Sequence, residues 1–169
     1  TRLNGQRGTA QVIVDAEIDS QVAQFDDWLW RICWHRGVAY GALYQHAKGK
    51  VHLMKSEDGQ RFEHVVRWKQ DGRPSEATVR AAPDGALLAL LRRDGGDRKA
   101  RIGRAEPPFT DWTWSTLPTS LGGPELLVLP DGRMLAAGRT QTDKGPKTTL
   151  GEVRLDGTWR PLLTLPSGG

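Results

Sequence analysis

The chain has one cysteine among its 169 residues, and that scarcity excludes an intramolecular disulfide. Cys33 stands in Leu29-Trp30-Arg31-Ile32-Cys33-Trp34, an apolar strand-like run, and reads as a small hydrophobe rather than a nucleophile. No apolar run reaches membrane length, so no membrane partner is expected. No secretory leader is recognisable. The first residue is Thr rather than Met, so a cut or processed N-terminus is expected and targeting is unreadable. Lys and Arg exceed Asp and Glu, 24 to 20, but no basic run is longer than two or three residues. Dispersed charge of this kind argues against a nucleic-acid partner, because clustering carries that signal. His35, His46, His52 and His64 have no ligand spacing with Cys or carboxylates, so no metal and no cofactor is expected. Asp94-Gly95-Gly96-Asp97 lacks the Lys and the following helix of a phosphate loop and reads as a turn. Helical periodicity is absent over any ten residues, which excludes a helical scaffold.

What is present is turns and short strands. Twenty Gly and ten Pro punctuate runs rich in β-branched, aromatic and Leu residues, as an all-β chain requires. The runs fall into sets of four. The first set is 29–35, 38–45, 50–55 and 62–68; the second is 76–82, 86–92, 99–104 and 112–117; the third is 125–129, 133–141, 147–154 and 158–163. The run from Ala86 to Leu91 is wholly apolar, which suits a strand covered on both faces. A repeat of 47 residues underlies the pattern. Pro83-Asp84-Gly85 with the run up to Arg92 recurs as Pro130-Asp131-Gly132 with the run up to Arg139. Trp112 and Trp159 keep that spacing, and so do Phe62 and Phe109. A period of this length, with a turn glycine and an aromatic in each unit, is the signature of β-propeller blades. The expected fold is all-β: three four-stranded antiparallel blades at 28–71, 72–119 and 120–164. Residues 1–27 are expected to be the tail of a preceding blade or a linker, with one β-like segment at 10–14. Leu165-Pro166-Ser167-Gly168-Gly169 reads as the start of a fourth unit. Three blades cannot close a ring, so exposed end faces are expected, and two copies would give six blades.

Certain residues point to a family. Ser56-Glu57-Asp58-Gly59-Gln60-Arg61-Phe62 resembles the Asp-box turn (BNR repeat) of sialidase propellers, built on Ser56, Asp58, Gly59 and Phe62, with a partial copy at Leu155-Asp156-Gly157-Thr158-Trp159. In such a turn Asp and Ser side chains fold back onto the local backbone and Gly takes positive φ. Glu76 precedes Arg92 by sixteen residues, and Arg139 lies one repeat on. That arrangement resembles the Glu and two of the three Arg of the sialidase (neuraminidase) superfamily, in a bacterial sialidase-like branch. The resemblance covers roughly Trp28 to Gly169 and implies a parent propeller of six blades. It also implies an exo-acting glycoside hydrolase, with a leaning towards a secreted or periplasmic location. Glu76 is then the partner of a Tyr nucleophile, and Arg92 and Arg139 hold the carboxylate of an acidic, sialic-acid-like sugar or another carboxylate ligand. The third Arg, the general acid and the Tyr nucleophile have no match here; Tyr40 and Tyr44 lie within a second strand. This chain alone is therefore expected to be inactive.

The geometry of antiparallel strands supports the grouping without the family. Glu76 begins one strand and Arg92 ends the next, so both lie at one end of a blade, with Arg139 on the same rim. Two guanidiniums converging there would bind a carboxylate by paired N–H···O bonds. Blander readings stand beside this one. Glu76 could pair with Arg73 or Arg80. One of Arg92 and Arg93 is expected to be an ordinary solvated charge, since alternation sends them to opposite faces. Trp112, Trp114 and Trp159 read as plugs between blades; Trp28 or Trp30 could flank a sugar, with burial the stronger expectation. Two other functions remain open: a non-catalytic carbohydrate-binding propeller, and a structural half-propeller that assembles as a homodimer into a closed six-bladed ring.

Overall fold

A computed structural model of the chain describes residues 27–168, together with the backbone of three short strands near the N-terminus. These are β1 (Arg2–Leu3), β2 (Gln6–Arg7) and β3 (Glu17–Ile18). The segment 10–14 lies outside the described residues. Twelve further strands form three antiparallel sheets, and the described residues contain no helix. The first sheet holds β4 (Trp28–His35), β5 (Val38–Gln45), β6 (Lys50–Ser56) and β7 (Arg61–Trp68). The second holds β8 (Pro74–Ala81), β9 (Leu87–Arg93), β10 (Arg101–Ala105) and β11 (Thr113–Thr116). The third holds β12 (Gly122–Val128), β13 (Met134–Thr142), β14 (Gly145–Val153) and β15 (Trp159–Gly168). Within each sheet the strands pair in chain order, and β8 lies against both β4 and β12. The chain is thus three blades of a β-propeller, with β4, β8 and β12 as the inner strands.

Two details differ from the sequence reading. The outer edge of the first blade carries a fifth strand, because β3 pairs in parallel with β7, Ile18 opposite Phe62. At the other end the last strand is longer than the run 158–163. β15 runs on to Gly168, which pairs with Lys147 of β14, so the third blade has a long outer strand.

The repeated turn is one structure used three times. In Pro83-Asp84-Gly85, Ala82 and Ala86 pair across a three-residue loop at 2.9 Å, and Gly85 takes φ 93°. Leu129 and Arg133 do the same around Gly132, and Arg154 and Thr158 around Gly157. In each loop the Asp carboxylate accepts from the backbone N–H two residues on: Ala86, Arg133 and Thr158. Only glycine tolerates the left-handed third position without strain. Leu155-Asp156-Gly157 therefore folds as this hairpin loop.

Packing follows from the wholly apolar β9. Leu87, Ala89 and Leu91 face the first blade, joining Tyr40, Val51, Leu53 and Trp68 in one buried cluster. Leu88 and Leu90 face the third, joining Ile102, Leu117, Leu126 and Ala136. A strand with alternate residues in two cores must be apolar throughout, as its sequence is. A full leucine side chain so buried contributes about 2 kcal/mol. The outer strands are held by tryptophans lying on glycines of the third strand. A Cβ on Gly103 would fall 2.6 Å from the Trp114 ring, and one on Gly151 would fall 2.5 Å from Trp159. Structurally Trp159 thus matches Trp114, not Trp112, although Trp112 keeps the 47-residue spacing. The end blades have open faces: Trp28, Ile32 and Trp34 on β4 and Leu162, Leu163 and Leu165 on β15 are all exposed. Trp28, for which burial is the stronger expectation, is 57% exposed, because no blade among the described residues covers that side of β4.

One polar chain crosses the first blade. Gln45 donates to Asp27 at 2.6 Å, and its side-chain oxygen faces Nε2 of buried His52 at 3.3 Å. Nδ1 of His52 lies 3.2 Å from Nε2 of His64. This pattern assigns a neutral His52 that donates to Gln45 and accepts from His64. Burial, followed by the charges of His64, Arg67 and Lys50, pushes the His52 imidazole down to about 4. The unfolded chain takes up this proton near its ordinary value of 6.5 and the folded chain near 4. The associated stability is therefore complete above pH 6.5 and is lost as pH falls towards 4. Linkage puts the loss at about 3 kcal/mol at most. Urea unfolding at pH 7 and pH 4.5 is expected to show a fall in stability that is smaller in His52→Gln; an identical fall in both proteins refutes the assignment.

Candidate functional site

The three inner strands share an irregularity. Each carries a bulge against its neighbour, between Leu29 and Ile32, between Pro74 and Ala77, and between Gly122 and Glu125. In every case one extra residue is accommodated near the start of the inner strand. Bulges re-aim side chains and break pairing, and they gather at active sites. Here they present Trp30, Arg31, Ser75, Glu76, Gly123 and Pro124 at one end of the inner strands.

Glu76 and Arg92 stand at the same end of the second blade and pair directly, with Arg92 Nη1 2.7 Å from Glu76 Oε2. The same carboxylate oxygen accepts from the Gly123 N–H of the next blade at 2.9 Å. Arg92 Nε donates to Asp94 at 2.7 Å. Burial alone would lower the Arg92 guanidinium, but Glu76 and Asp94 outweigh it and hold the group above its ordinary value. Tyr44 of β5 stands within the field of this cluster. Burial, then the Glu76 and Asp94 charges, push its phenol up, while Arg92 acts in the opposite sense. Trp30 packs edge-on to Tyr44, centroids 6.2 Å apart, and the Arg31 guanidinium lies over the Trp30 ring at 5.5 Å.

A second carboxylate, Glu125 of β12, takes hydrogen bonds from both other inner strands. Arg31 of β4 approaches Oε2 at 2.6 Å, while Arg80 and Thr78 of β8 donate to Oε1. Neither Arg73 nor Arg80 pairs with Glu76. Three side-chain groups at the bulges are buried without a hydrogen-bond partner among the described residues: Trp30 Nε1, Arg31 Nε and Ser75 Oγ. Buried orphans are uncommon, and three together mark a place built to meet something else.

Arg139 lies in the second half of β13, opposite Gly122, whose missing side chain leaves room for the guanidinium. It is exposed and makes no hydrogen bond or ion pair among the described residues. It lines a cleft of about 300 Å³ with Glu76, Arg92, Gly123 and Glu125. A continuous groove of about 330 Å³ between the second and third blades adds Arg98, Ser120 and Gln141. The structure thus brings Glu76, Arg92 and Arg139 to one cleft, although Arg92 is engaged by carboxylates and Arg139 is not. Arg93 corrects an expectation: it is 3% exposed rather than solvated, bonded to Asp97, to Asp71 and to the Lys99 carbonyl. Both arginines at the end of β9 are therefore paired with carboxylates.

Ser56, Asp58, Gly59 and Phe62 lie elsewhere, at the β6–β7 turn. Ser56 Oγ donates to Asp58 and accepts from the Gly59 N–H, each at 2.9 Å. Asp58 also accepts from the Gln60 and Arg61 N–H groups at 2.8 Å. Those backbone bonds, with the Ser56 hydroxyl, lower the Asp58 carboxyl to about 2. Gly59 takes φ 73° and Phe62 is buried, so the turn closes a hairpin and seals one core cluster. Sequence reasoning missed Arg31, Tyr44, Arg98 and Glu125. For Glu125 a signal existed: it stands 47 residues after Thr78, the residue that donates to it.

No family model matches the chain, and no curated protein matches it at a meaningful level. Solved structures do. A protein of unknown function from Dyadobacter fermentans superposes with TM-score 0.66 at 20% identity, over 84% of this chain and 43% of that one. An endo-arabinase from Bacteroides thetaiotaomicron gives 0.60 at 14%, over 86% and 66%. An exo-β-1,3-galactanase from Clostridium thermocellum gives 0.58 at 12%, over 79% and 35%. This chain spans less than two thirds of each of those chains. At such identities the likeness concerns the fold, which this chain shares with glycoside hydrolases.

Glu125→Gln is expected to lower stability by about 2 kcal/mol, since two arginines lose their shared counter-charge in a half-buried setting. Urea denaturation checks this, and a loss below about 0.5 kcal/mol makes the contact ordinary surface pairing.

Proposed function

We propose that these blades are part of a sialidase-like exo-glycoside hydrolase and that the cleft at the bulged ends of the inner strands takes an acidic sugar. The observation that carries the reading is Arg139, an exposed guanidinium with no partner among the described residues, in the cleft that holds the Glu76–Arg92 pair. A carboxylate needs a planar pair of donors, and Arg139 supplies one. Arg98, exposed on the same groove, supplies a second positive charge. Arg92 acts by shaping Glu76 and the cleft wall. The fold shared with glycoside hydrolases supports sugar as the ligand class. In this reading the general acid and the Tyr nucleophile belong to blades outside these three, so the chain binds without turnover.

The experiment is titration of sialic acid and glucuronate into the chain at low salt, followed by heteronuclear NMR. Saturable shifts around Arg139 are expected, lost in Arg139→Ala while the fold is kept. Arg92→Ala is expected to lose binding as well. Binding unchanged in both variants, or no shift with either sugar, rejects the assignment.

The open end faces favour a second reading, in which two copies close a ring. Trp28 and Trp34 at one end and Leu162 and Leu163 at the other leave broad apolar surface uncovered. Light scattering is then expected to give twice the 18.7 kDa chain mass, and a monomer at all concentrations rejects that assembly.

A further inference from the structure

We propose a second carbohydrate site, for the neutral units of an oligosaccharide, in the cleft between the end of β7 and the approach to β11. It goes beyond the acidic-sugar reading and uses none of its residues.

The cleft has a volume of about 330 Å³. Trp114 is sandwiched between Gly103 and Trp112, the two indoles being stacked at 5.4 Å with 25° between planes. Trp68 braces both rings edge-on, at 5.0 and 5.1 Å. The Trp112 N–H donates to the Phe109 carbonyl at 2.9 Å, which fixes the ring. Trp112 caps this stack and remains half-exposed on the cleft. Unlike Trp28 and Trp34, it stands between two neighbouring blades that are both present, so its exposure does not come from an uncovered end face.

A sugar ring has an apolar C–H face edged by hydroxyl groups that both donate and accept. A rigid indole platform with a mixed polar rim matches it. The rim here carries Arg67, Lys69, Gln70, Thr110 and Asp111. Lys69 has no ion pair among the described residues, and Gln70 uses its oxygen on Arg101 at 2.7 Å, leaving its amide N–H groups to donate. Asp111 takes only the Thr110 hydroxyl at 3.2 Å and keeps acceptor capacity. The indole N–H of Trp68, in the same wall, is buried without a partner, and a hydroxyl oxygen is the acceptor it lacks. Arg67 and Lys69 share the rim with the Asp111 carboxylate, a mixed charge that leaves the indole platform as the main attraction for a neutral ring.

The test is titration of β-1,3-galactotriose and arabinotriose into the chain, reading the indole N–H signals by NMR. Saturable shifts of the Trp112, Trp114 and Trp68 signals are expected, with millimolar affinity. Trp112→Ala is expected to weaken binding about tenfold. The exposed double variant Lys69→Ala/Asp111→Ala keeps the ring stack and is expected to weaken it similarly, which decides the matter should Trp112→Ala fail to fold. Arg139→Ala is expected to leave neutral-sugar binding unchanged. No saturable indole shift up to about 20 mM of either sugar overturns the proposal. So does unchanged affinity in the double variant, or loss of neutral-sugar binding in Arg139→Ala. Failure of acidic sugars to bind bears only on the arginine cleft.

Discussion

The carboxylate of Glu125 joins all three blades. It belongs to β12, and it receives Arg31 from β4 and Arg80 with Thr78 from β8. Blades of a propeller pack mostly through apolar side faces, which are non-directional and permit sliding. A charged hydrogen-bonded hub among inner strands fixes their relative height, because its donors lose their partner on a shift of one residue. Glu76 adds a second tie of the same kind at the bulged end, reaching the Gly123 N–H. The clefts described above have defined walls only while these ties hold.

Both ties connect positions one repeat apart. Glu76 meets Gly123, and Thr78 meets Glu125, each pair separated by 47 residues. A sequence period has become a lateral contact, since consecutive inner strands stand side by side in the same register. The two-sided core around β9 follows from the same arrangement, as among the described residues the middle blade has a neighbour on each face and the outer blades have one. The exposed Trp28 and Leu163 are the counterpart of the buried Leu87 and Leu88.

Much of this was legible in the chain. Alternation and turn residues gave the twelve blade strands to within a few residues, and the Pro-Asp-Gly turns fold alike because their Asp and Gly chemistry is local. The grouping of Glu76, Arg92 and Arg139 could be read from strand direction alone. What could not be read depends on contacts between blades. The internal role of Arg93 needs Asp71 and Asp97, and the role of Glu125 needs arginines 94 and 45 residues away. The match of Trp159 to Trp114 escaped because spacing favoured Trp112, whereas packing follows the glycines at 103 and 151. The extension of β15 escaped because Pro166 and Gly168 read as a turn, yet they continue the outer strand of the blade.

The difference between Arg92 and Arg139 is written in the departures from the repeat. The carboxylates that occupy Arg92 are Glu76 and Asp94. One repeat later those positions are Gly123 and Gln141, neither of which carries charge. Gly123 instead turns its backbone N–H to Glu76, and Gln141 lines the groove beside Arg139. An equivalent arginine is thereby left without a counter-charge in the next blade. Unbalanced guanidinium exposed to solvent is tolerated without great cost, so stability does not require its release. Local rules are broken most often where a protein meets its ligand. The repeat thus keeps the guanidinium and its strand position, and adds at Gly122 the glycine that makes room for it, while losing both of the partners that occupy Arg92.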